Sequence, residues 1–311
     1  MKPDDSSVSP EQLLQIRHHA LRSLQEANAK GRFPTPVSDV MEAAKIIVAQ
    51  EHVLNESFLD KIRKNTFRVG KVLKSALSKV FGIFDTAARI VYIDSTLLEV
   101  RKIFLKLHET AHGVLVWQKD IYCAIEDCEK TLAPDVSEAF DREANVFASE
   151  VLFQLNTFQE EAADYNFGIS VPLKLCKKYG ASIYSTVRRY VSTHHRCCVV
   201  LVLDPPVLVK NDGFIATLRR AVPSSSFEKF FGQIQWPNTF TPDDDIGKIV
   251  PIGTRKMSRP SPITLTDQNG VLHECVAEAF RHKYLVFILI HEVEALTRKI
   301  VLITNSSVCL K

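Results

Sequence analysis

Apolar residues recur at helical spacing along most of the N-terminal two thirds of the chain. They predict a first helix that starts at Pro10, because proline fits the first turn of a helix. Residues 31–36 contain a glycine and two prolines and break this pattern. Ser38 or Asp39 can then cap a second helix that runs through Val48. Further helices are predicted for residues 58–80, 137–155, 171–179 and 183–194.

Short runs of β-branched and aromatic residues predict strands. Residues 89–94 form such a run, directly before a helical stretch at residues 103–115. The composition changes at about residue 196, and later apolar runs predict a mixed sheet with one or two helices. These runs cover residues 197–203, 249–252, 263–265 and 284–290. Helices followed by strands indicate an α+β fold.

Composition and charge are those of an ordinary globular protein. The 311 residues allow one large or two ordinary domains, with 46% hydrophobic and 24% charged residues. The net charge of +3 is too small to imply nucleic-acid binding by electrostatics alone. The seven cysteines are odd in number and form no disulfide framework, which favours a reducing compartment.

The sequence predicts no membrane segment. The first residues are polar and acidic and contain no apolar run typical of a signal peptide. The apolar run at residues 284–290 has seven residues, too few to span a bilayer, and is typical of a buried strand. We therefore expect a cytoplasmic protein that makes no membrane contact.

The most informative motif is His108-Glu109-Thr110-Ala111-His112, an H-E-x-x-H segment within the helical stretch. Histidines four residues apart project from the same face of a helix, so both imidazoles can reach one metal ion. Glu109 can lean toward a metal-bound water as a general base. The alternative is a buried helix whose histidines only make hydrogen bonds. The glutamate between the two histidines favours the metal site.

A catalytic zinc site needs a third protein ligand, and the helix at residues 137–155 supplies the candidates. At about 100° per residue, Asp141 lies nearest to the apolar face of this helix, followed by Glu143. Glu150 and Glu138 lie further round and are expected on a solvated face. Asn145 lies one turn beyond Asp141 and can hydrogen-bond a ligating histidine. Asp141 is therefore the predicted third ligand.

Together these segments resemble the ImmA/IrrE metallopeptidase family. Its features are Phe104-x3-His108-Glu109-x2-His112, followed about thirty residues later by the F-D-R-E-A-N-V-F-A-S-E segment at residues 140–150. Residues 33–37, 90–94 and 178–190 also resemble segments of that family. The resemblance covers about residues 10–205 and is more specific than H-E-x-x-H alone.

The resemblance implies a gluzincin-like zinc peptidase, with His108 and His112 as ligands and Glu109 as the base that activates water. The third ligand of this family is commonly Glu, at the position that Asp141 occupies here. Because Asp is one methylene shorter, its helix must approach more closely, the ligand role passes to Glu143, or metal affinity is weaker. Zinc is the expected metal, although Mn²⁺ also accepts two histidines and a carboxylate.

The expected architecture is a mainly helical zincin-like peptidase domain with a short sheet, a helix-turn-helix-like pair, and a C-terminal mixed α/β domain. The corresponding boundaries are 1–10 for a disordered N-terminus, then 11–160, 161–196 and 197–311. The basic helix pair resembles a DNA-binding unit, but its packing on the peptidase core is the favoured interpretation, so direct DNA binding is not expected. For the C-terminal domain, a sensor, a substrate-docking unit and a structural extension remain open.

The resemblance also implies a substrate, because known members of the family cleave helix-turn-helix repressors and so release stress or mobile-element genes. The predicted function is a regulatory zinc endopeptidase whose protein partner is such a repressor. The rival is a non-catalytic regulator that binds metal, a repressor or DNA on the same scaffold. Peptide hydrolysis also needs an oxyanion stabiliser, and four tyrosines are candidates: Tyr122, Tyr165, Tyr179 and Tyr190.

Overall fold

The computed structural model describes residues 8–49, 82–85, 89–93, 97–118, 134–209 and 213–293. Helix α1 spans Pro10–Glu26 and begins with a capping box between Ser9 and Gln12. The predicted first helix is confirmed. Residues 1–10 were expected to be disordered, but Ser9 and Pro10 form the cap and the first position of this helix. The helix predicted for residues 58–80 lies outside the described residues.

Helix α2, Val37–Ala43, is shorter than predicted, because Ile47–Val48 forms strand β1. The backbone of Lys45 has a φ of 57°, which ends the helical path. Ile47 and Val48 then pair in parallel with Ile90 and Val91. The helix predicted through Val48 was therefore wrong, since pairing with a distant strand outweighs the local helical pattern.

A small sheet lies beside the motif helix. Strands β2, Gly82–Asp85, and β3, Ile90–Ile93, are antiparallel, and β3 lies between β1 and β2. The strand predicted at residues 89–94 is confirmed. The Arg89 guanidinium donates to the Ala44 and Gly113 carbonyls, and so ties the start of β3 to the end of the motif helix.

Five further helices complete the helical part of the described chain: α3 Glu99–Val114, α4 Pro134–Leu152, α5 Thr157–Ala163, α6 Ser170–Lys178 and α7 Ile183–Ser192. Helix α3 carries the motif and packs against α4, which also contacts α1. Leu107 and Ala111 of α3 and Phe147 of α4 are fully buried in their common apolar core. Helix α5 was not predicted, whereas the other four agree with the predicted helices to within a few residues.

The C-terminal part is dominated by a twisted antiparallel sheet. Its strands are β4 Cys198–Leu203, β5 Val207–Val209, β6 Gly213–Pro223, β7 Thr239–Phe240, β8 Ser261–Thr266, β9 Leu272–Arg281 and β10 Val286–Glu292. Every described pairing in this sheet is antiparallel, so the expected mixed sheet was wrong in strand direction. Helix α8, Ser225–Phe231, is its only α-helix within the described residues.

The strand predicted at residues 249–252 does not form. Ile249 ends a 3₁₀ turn, Gly247–Ile249, and residues 250–252 lie outside helices and strands. A Cβ on Gly247 would lie 1.6 Å from the Thr241 carbonyl oxygen, so the backbone approaches too closely for any side chain. The predicted strands near residues 200, 264 and 287 are present as β4, β8 and β10.

The central strands β4 and β10 are buried on both faces. Val200 and Leu289 point into the core that the helices share, whereas Leu201 and Ile288 point into a second core on the opposite face. This explains the unbroken apolar runs in the sequence, because neither face meets water. Helices α6 and α7 contribute Leu175 and Val187 to the first core, so the helix pair packs on the body of the protein.

None of the described helices is long and apolar enough to cross a lipid bilayer.

Candidate metal centre

Three potential ligands converge between α3 and α4. The Nε2 atoms of His108 and His112 lie 3.4 Å apart, one helical turn from each other on α3. Asp141 of α4 places its Oδ1 3.9 Å from Nε2 of His108. One ligand atom from each residue lies within 4.8 Å of the other two, and the described part of the chain contains no other such cluster.

The two histidines are oriented as metal ligands require. Nδ1 of His108 lies 3.0 Å from Oδ1 of Asn145, the hydrogen bond expected for that residue. Nδ1 of His112 lies 2.7 Å from Oε1 of Gln118. Each Nδ1 therefore donates its hydrogen to an amide oxygen and leaves the Nε2 lone pair free. Tetrahedral zinc with ordinary Zn–N distances places two nitrogens about 3.4 Å apart, which this pair matches.

Burial keeps both imidazoles neutral near pH 7. It lowers the pKa of His108 to about 3, with a smaller contribution from the neighbouring His112. Burial likewise lowers the pKa of His112 to about 4. Neutral imidazoles are the form that binds metal, so the pair is prepared to ligate without losing a proton.

Two carboxyl groups lie next to the histidines, and a cation at this place would stabilise the charged form of each. Glu109 is only 5% exposed, and burial together with the nearby Asp141 raises its pKa to about 8. The pKa of Asp141 is raised by partial burial and by Glu138, although its side chain remains 60% exposed. A bound cation would reverse these shifts by favouring the charged forms. The donor set therefore fits a metal ion, with Asp141 on the solvent side.

Glu143, the alternative third ligand, forms a different set of contacts. Its Oε2 accepts hydrogen bonds from Nε1 of Trp117 at 2.8 Å and from Nε2 of Gln118 at 2.7 Å. Its Oε1 accepts from Nε2 of Gln12 at 3.1 Å. Asp141 rather than Glu143 thus lies in the cluster. Gln118 and Trp117 were not predicted as site residues, because they follow the last turn of α3 and belong to no periodic pattern.

The other two acids of α4 have different environments. Glu138 is exposed and pairs with Arg142 at 3.5 Å, as expected for a solvated face. The same expectation for Glu150 was wrong, since its side chain is 3% exposed. Arg189 of α7 donates to both of its oxygens, at 2.6 and 3.2 Å. The reason is that α4 is covered on more than one side, whereas helical periodicity shows only the most apolar side.

The candidate oxyanion tyrosines are mostly engaged elsewhere. The Tyr179 hydroxyl donates to Glu161 at 2.8 Å, and the Tyr190 hydroxyl accepts from the Gly168 amide at 3.3 Å. Both side chains are buried, whereas Tyr165 is 41% exposed. Tyr122 lies outside the described residues. The first two hydroxyls therefore serve the packing of the helices around them.

The whole cluster falls within one segment that matches a family model. Residues 71–190 match the peptidase M78 family, described as an IrrE N-terminal-like domain. This segment is therefore similar to IrrE N-terminal-like domains. It contains the H-E-x-x-H helix, Asp141 and most of the helix pair, and the resemblance to the ImmA/IrrE family is confirmed over these residues. The family indicates a regulatory, metallopeptidase-like domain.

A solved structure of a Mycobacterium tuberculosis transcriptional regulator is similar to this chain. The two are 13% identical, with a TM-score of 0.49, and the match covers 89% of this chain and 76% of the other. No curated protein matches the chain in sequence.

Proposed function

We propose that this chain is a zinc-dependent endopeptidase of regulatory type, with His108, His112 and Asp141 as ligands and Glu109 as the catalytic base. The convergence of the three ligand atoms beside the buried Glu109 carries this proposal. The peptidase M78 match over the same residues supports it. Mn²⁺ suits the same donor set and is the alternative metal.

The chemistry follows from what each residue can do. Zinc held by His108, His112 and Asp141 would supply a Lewis acid, which would polarise a scissile carbonyl and lower the pKa of water to about 7. Glu109, as a carboxylate, takes the proton of the attacking water and returns it to the leaving amine. The side-chain oxygens of Asn145 and Gln118 accept hydrogen bonds from Nδ1 of the two imidazoles and so hold the rings in place. Because Glu109 is only 5% exposed, the proton that it carries passes between the attacking water and the leaving amine rather than to bulk water.

The proposed substrate is a transcriptional repressor of the helix-turn-helix type. The family resemblance supports this class, and the proposal does not require direct DNA binding. Candidate repressors encoded near this gene are incubated with the zinc-loaded protein, and intact-mass measurement locates any cleavage. We expect one defined cut by the wild type and none by the Glu109→Gln variant. Cleavage by both would point to a contaminating protease.

A second function is a non-catalytic regulator that binds metal, a repressor or DNA on the same scaffold. One observation favours it. Asp141 stands where the family commonly has Glu, and its carboxylate lies 3.9 Å from His108 on the exposed side of the site. Such a ligand can leave the metal weakly held.

Metal content tests the site on which the peptidase proposal depends. Elemental analysis of the wild type is compared with His112→Ala and Asp141→Ala, and Glu138→Ala serves as the control on an exposed acid of the same helix. We expect about one zinc or manganese per chain in the wild type and the control, and loss in the other two. A wild type that binds no metal after reconstitution would contradict the peptidase proposal and support the binding protein.

A further inference from the structure

We infer that Glu143 is a positioning residue, which sets the orientation and the tautomer of His112 through Gln118. The inference rests on the proposed metal site, and it explains how one of its ligands is prepared. Glu143 lies on α4, whereas Gln118 follows the end of α3. The three side chains form a continuous hydrogen-bonded chain between the two helices.

The orientation of the Gln118 amide is fixed by its neighbours. Its Nε2 lies 2.7 Å from Oε2 of Glu143 and 3.2 Å from the carbonyl oxygen of Phe140. A carboxylate and a backbone carbonyl only accept hydrogen bonds, so the amide nitrogen must face them. The amide oxygen must then face His112, where it lies 2.7 Å from Nδ1.

This orientation selects one tautomer of His112. An amide oxygen accepts hydrogen bonds, so Nδ1 must carry the hydrogen and Nε2 must carry the lone pair that a metal needs. A flipped amide would present its NH₂ group to Nδ1 and favour the tautomer that cannot ligate through Nε2. Gln118, Glu143 and His112 are 0%, 5% and 7% exposed, so water cannot replace these partners.

The Glu143 carboxylate is itself held by two further donors. Nε1 of Trp117 donates to Oε2, the oxygen that also accepts from Gln118. Gln12, in the first turn of α1, donates to Oε1. Turning Glu143 toward a metal would leave these partly buried donors, and the buried amide of Gln118, without their acceptor, which costs free energy. The same contacts that exclude Glu143 as a ligand therefore fit it to position His112.

A double-mutant cycle on zinc affinity tests the chain of contacts. Affinity is measured by competition with a chelator for the wild type, Glu143→Leu, Gln118→Met and the double variant. Each single change is expected to weaken binding by about 10–100-fold, as for other residues that orient a ligand. The double variant should bind zinc no more weakly than the weaker-binding single variant, because both residues act on His112 through the same hydrogen bonds. Glu228→Gln, on an exposed position of α8, is the control.

A spectroscopic measurement keeps this test independent of metal binding. The ¹⁵N shifts of His112 in the metal-free protein report its tautomer directly. We expect the Nδ1–H form in the wild type and in Glu143→Gln, which keeps a carbonyl oxygen for Trp117 and Gln118. Glu143→Leu and Gln118→Met should each give a mixture of tautomers. Urea unfolding of each metal-free variant verifies that it is folded.

The outcomes for the two hypotheses are distinct. A wild type that binds no zinc contradicts the proposed function, while the ¹⁵N shifts still test the role of Glu143. Zinc binding by the wild type with unchanged affinity in folded Glu143→Leu or Gln118→Met would overturn the inference. Additive losses in the double variant would overturn it as well, because they would show that Glu143 acts by a separate route.

Discussion

Glu109 is a buried acid, so whether its carboxyl group is protonated depends on the charges next to it. We expect Glu109→Gln to keep the metal, because the ligand atoms belong to other residues. Peptide hydrolysis should fall by about 10²–10⁴-fold, since an amide cannot accept the proton of the attacking water. The comparison requires hydrolysis rates at matched metal content. An unchanged rate would assign the base to another residue.

Metal binding and protonation of Glu109 oppose each other. The pKa of Glu109 is raised to about 8, so at pH 7 the metal-free carboxyl holds its proton, and a cation expels it. Apparent metal affinity should therefore fall as the pH falls below about 8. His108 and His112 add to this fall only at acidic pH, because their pKa values are lowered to about 3 and about 4.

Calorimetry can measure this linkage at pH 7, in buffers with different enthalpies of ionisation. Glu109→Gln should release about one proton fewer per metal bound than the wild type. Glu228→Gln, at an exposed position of α8, serves as the control. Equal proton release by the wild type and Glu109→Gln would contradict the raised pKa of Glu109.

At the scale of helices, the buried ion pair between Glu150 and Arg189 joins α4 to α7. Both side chains are at most 8% exposed, so removing one partner leaves a charge in a poorly solvated place. We expect Arg189→Met to lower the free energy of unfolding by about 3–5 kcal/mol, as for other broken buried pairs. Urea unfolding measures this loss. Lys177→Met, at an exposed position of α6, is the control, and an equal effect in both variants would refute the role of the pair.

Local periodicity predicts the features that depend on one element alone. The shared face of His108 and His112 follows from the fixed angle between residues on one helix, which the sequence shows directly, whereas the approach of Asp141 also depends on how α4 packs against α3. The contacts of Glu143 and Glu150 depend instead on which helices cover the other sides of α4. No pattern within α4 records these neighbours, so the sequence could not assign the two acids correctly.

The same limit applies to the strands. Ile47 and Val48 fit a helical pattern, yet they form β1 because they pair with Ile90 and Val91. The apolar runs of β4 and β10 were recognisable without such information, since burial on both faces removes all polar positions. The antiparallel direction of the sheet was not recognisable in the sequence, because strand direction depends on the connections between strands rather than on the composition of each strand.

At the scale of the whole molecule, β4 carries side chains into both apolar cores. Val200 contributes to the core of the metal-bearing helices, and Leu201 to the core on the opposite face of the sheet. The first core also contains Tyr190 and Cys198, so it continues across residue 196. Loss of packing on the far face should therefore weaken the helices that hold the metal site.

The two tryptophans make this coupling measurable, because Trp117 lies beside the metal centre and Trp236 packs against the second core. In a Trp236→Phe background, fluorescence reports on Trp117 alone. Leu201→Ala should lower the free energy of unfolding reported by Trp117 by about 2–5 kcal/mol, since it opens a cavity at a fully buried site. Leu208→Ala, at a side chain 77% exposed, should leave it nearly unchanged. If Leu201→Ala leaves the unfolding reported by Trp117 unchanged, the helices and the sheet unfold independently.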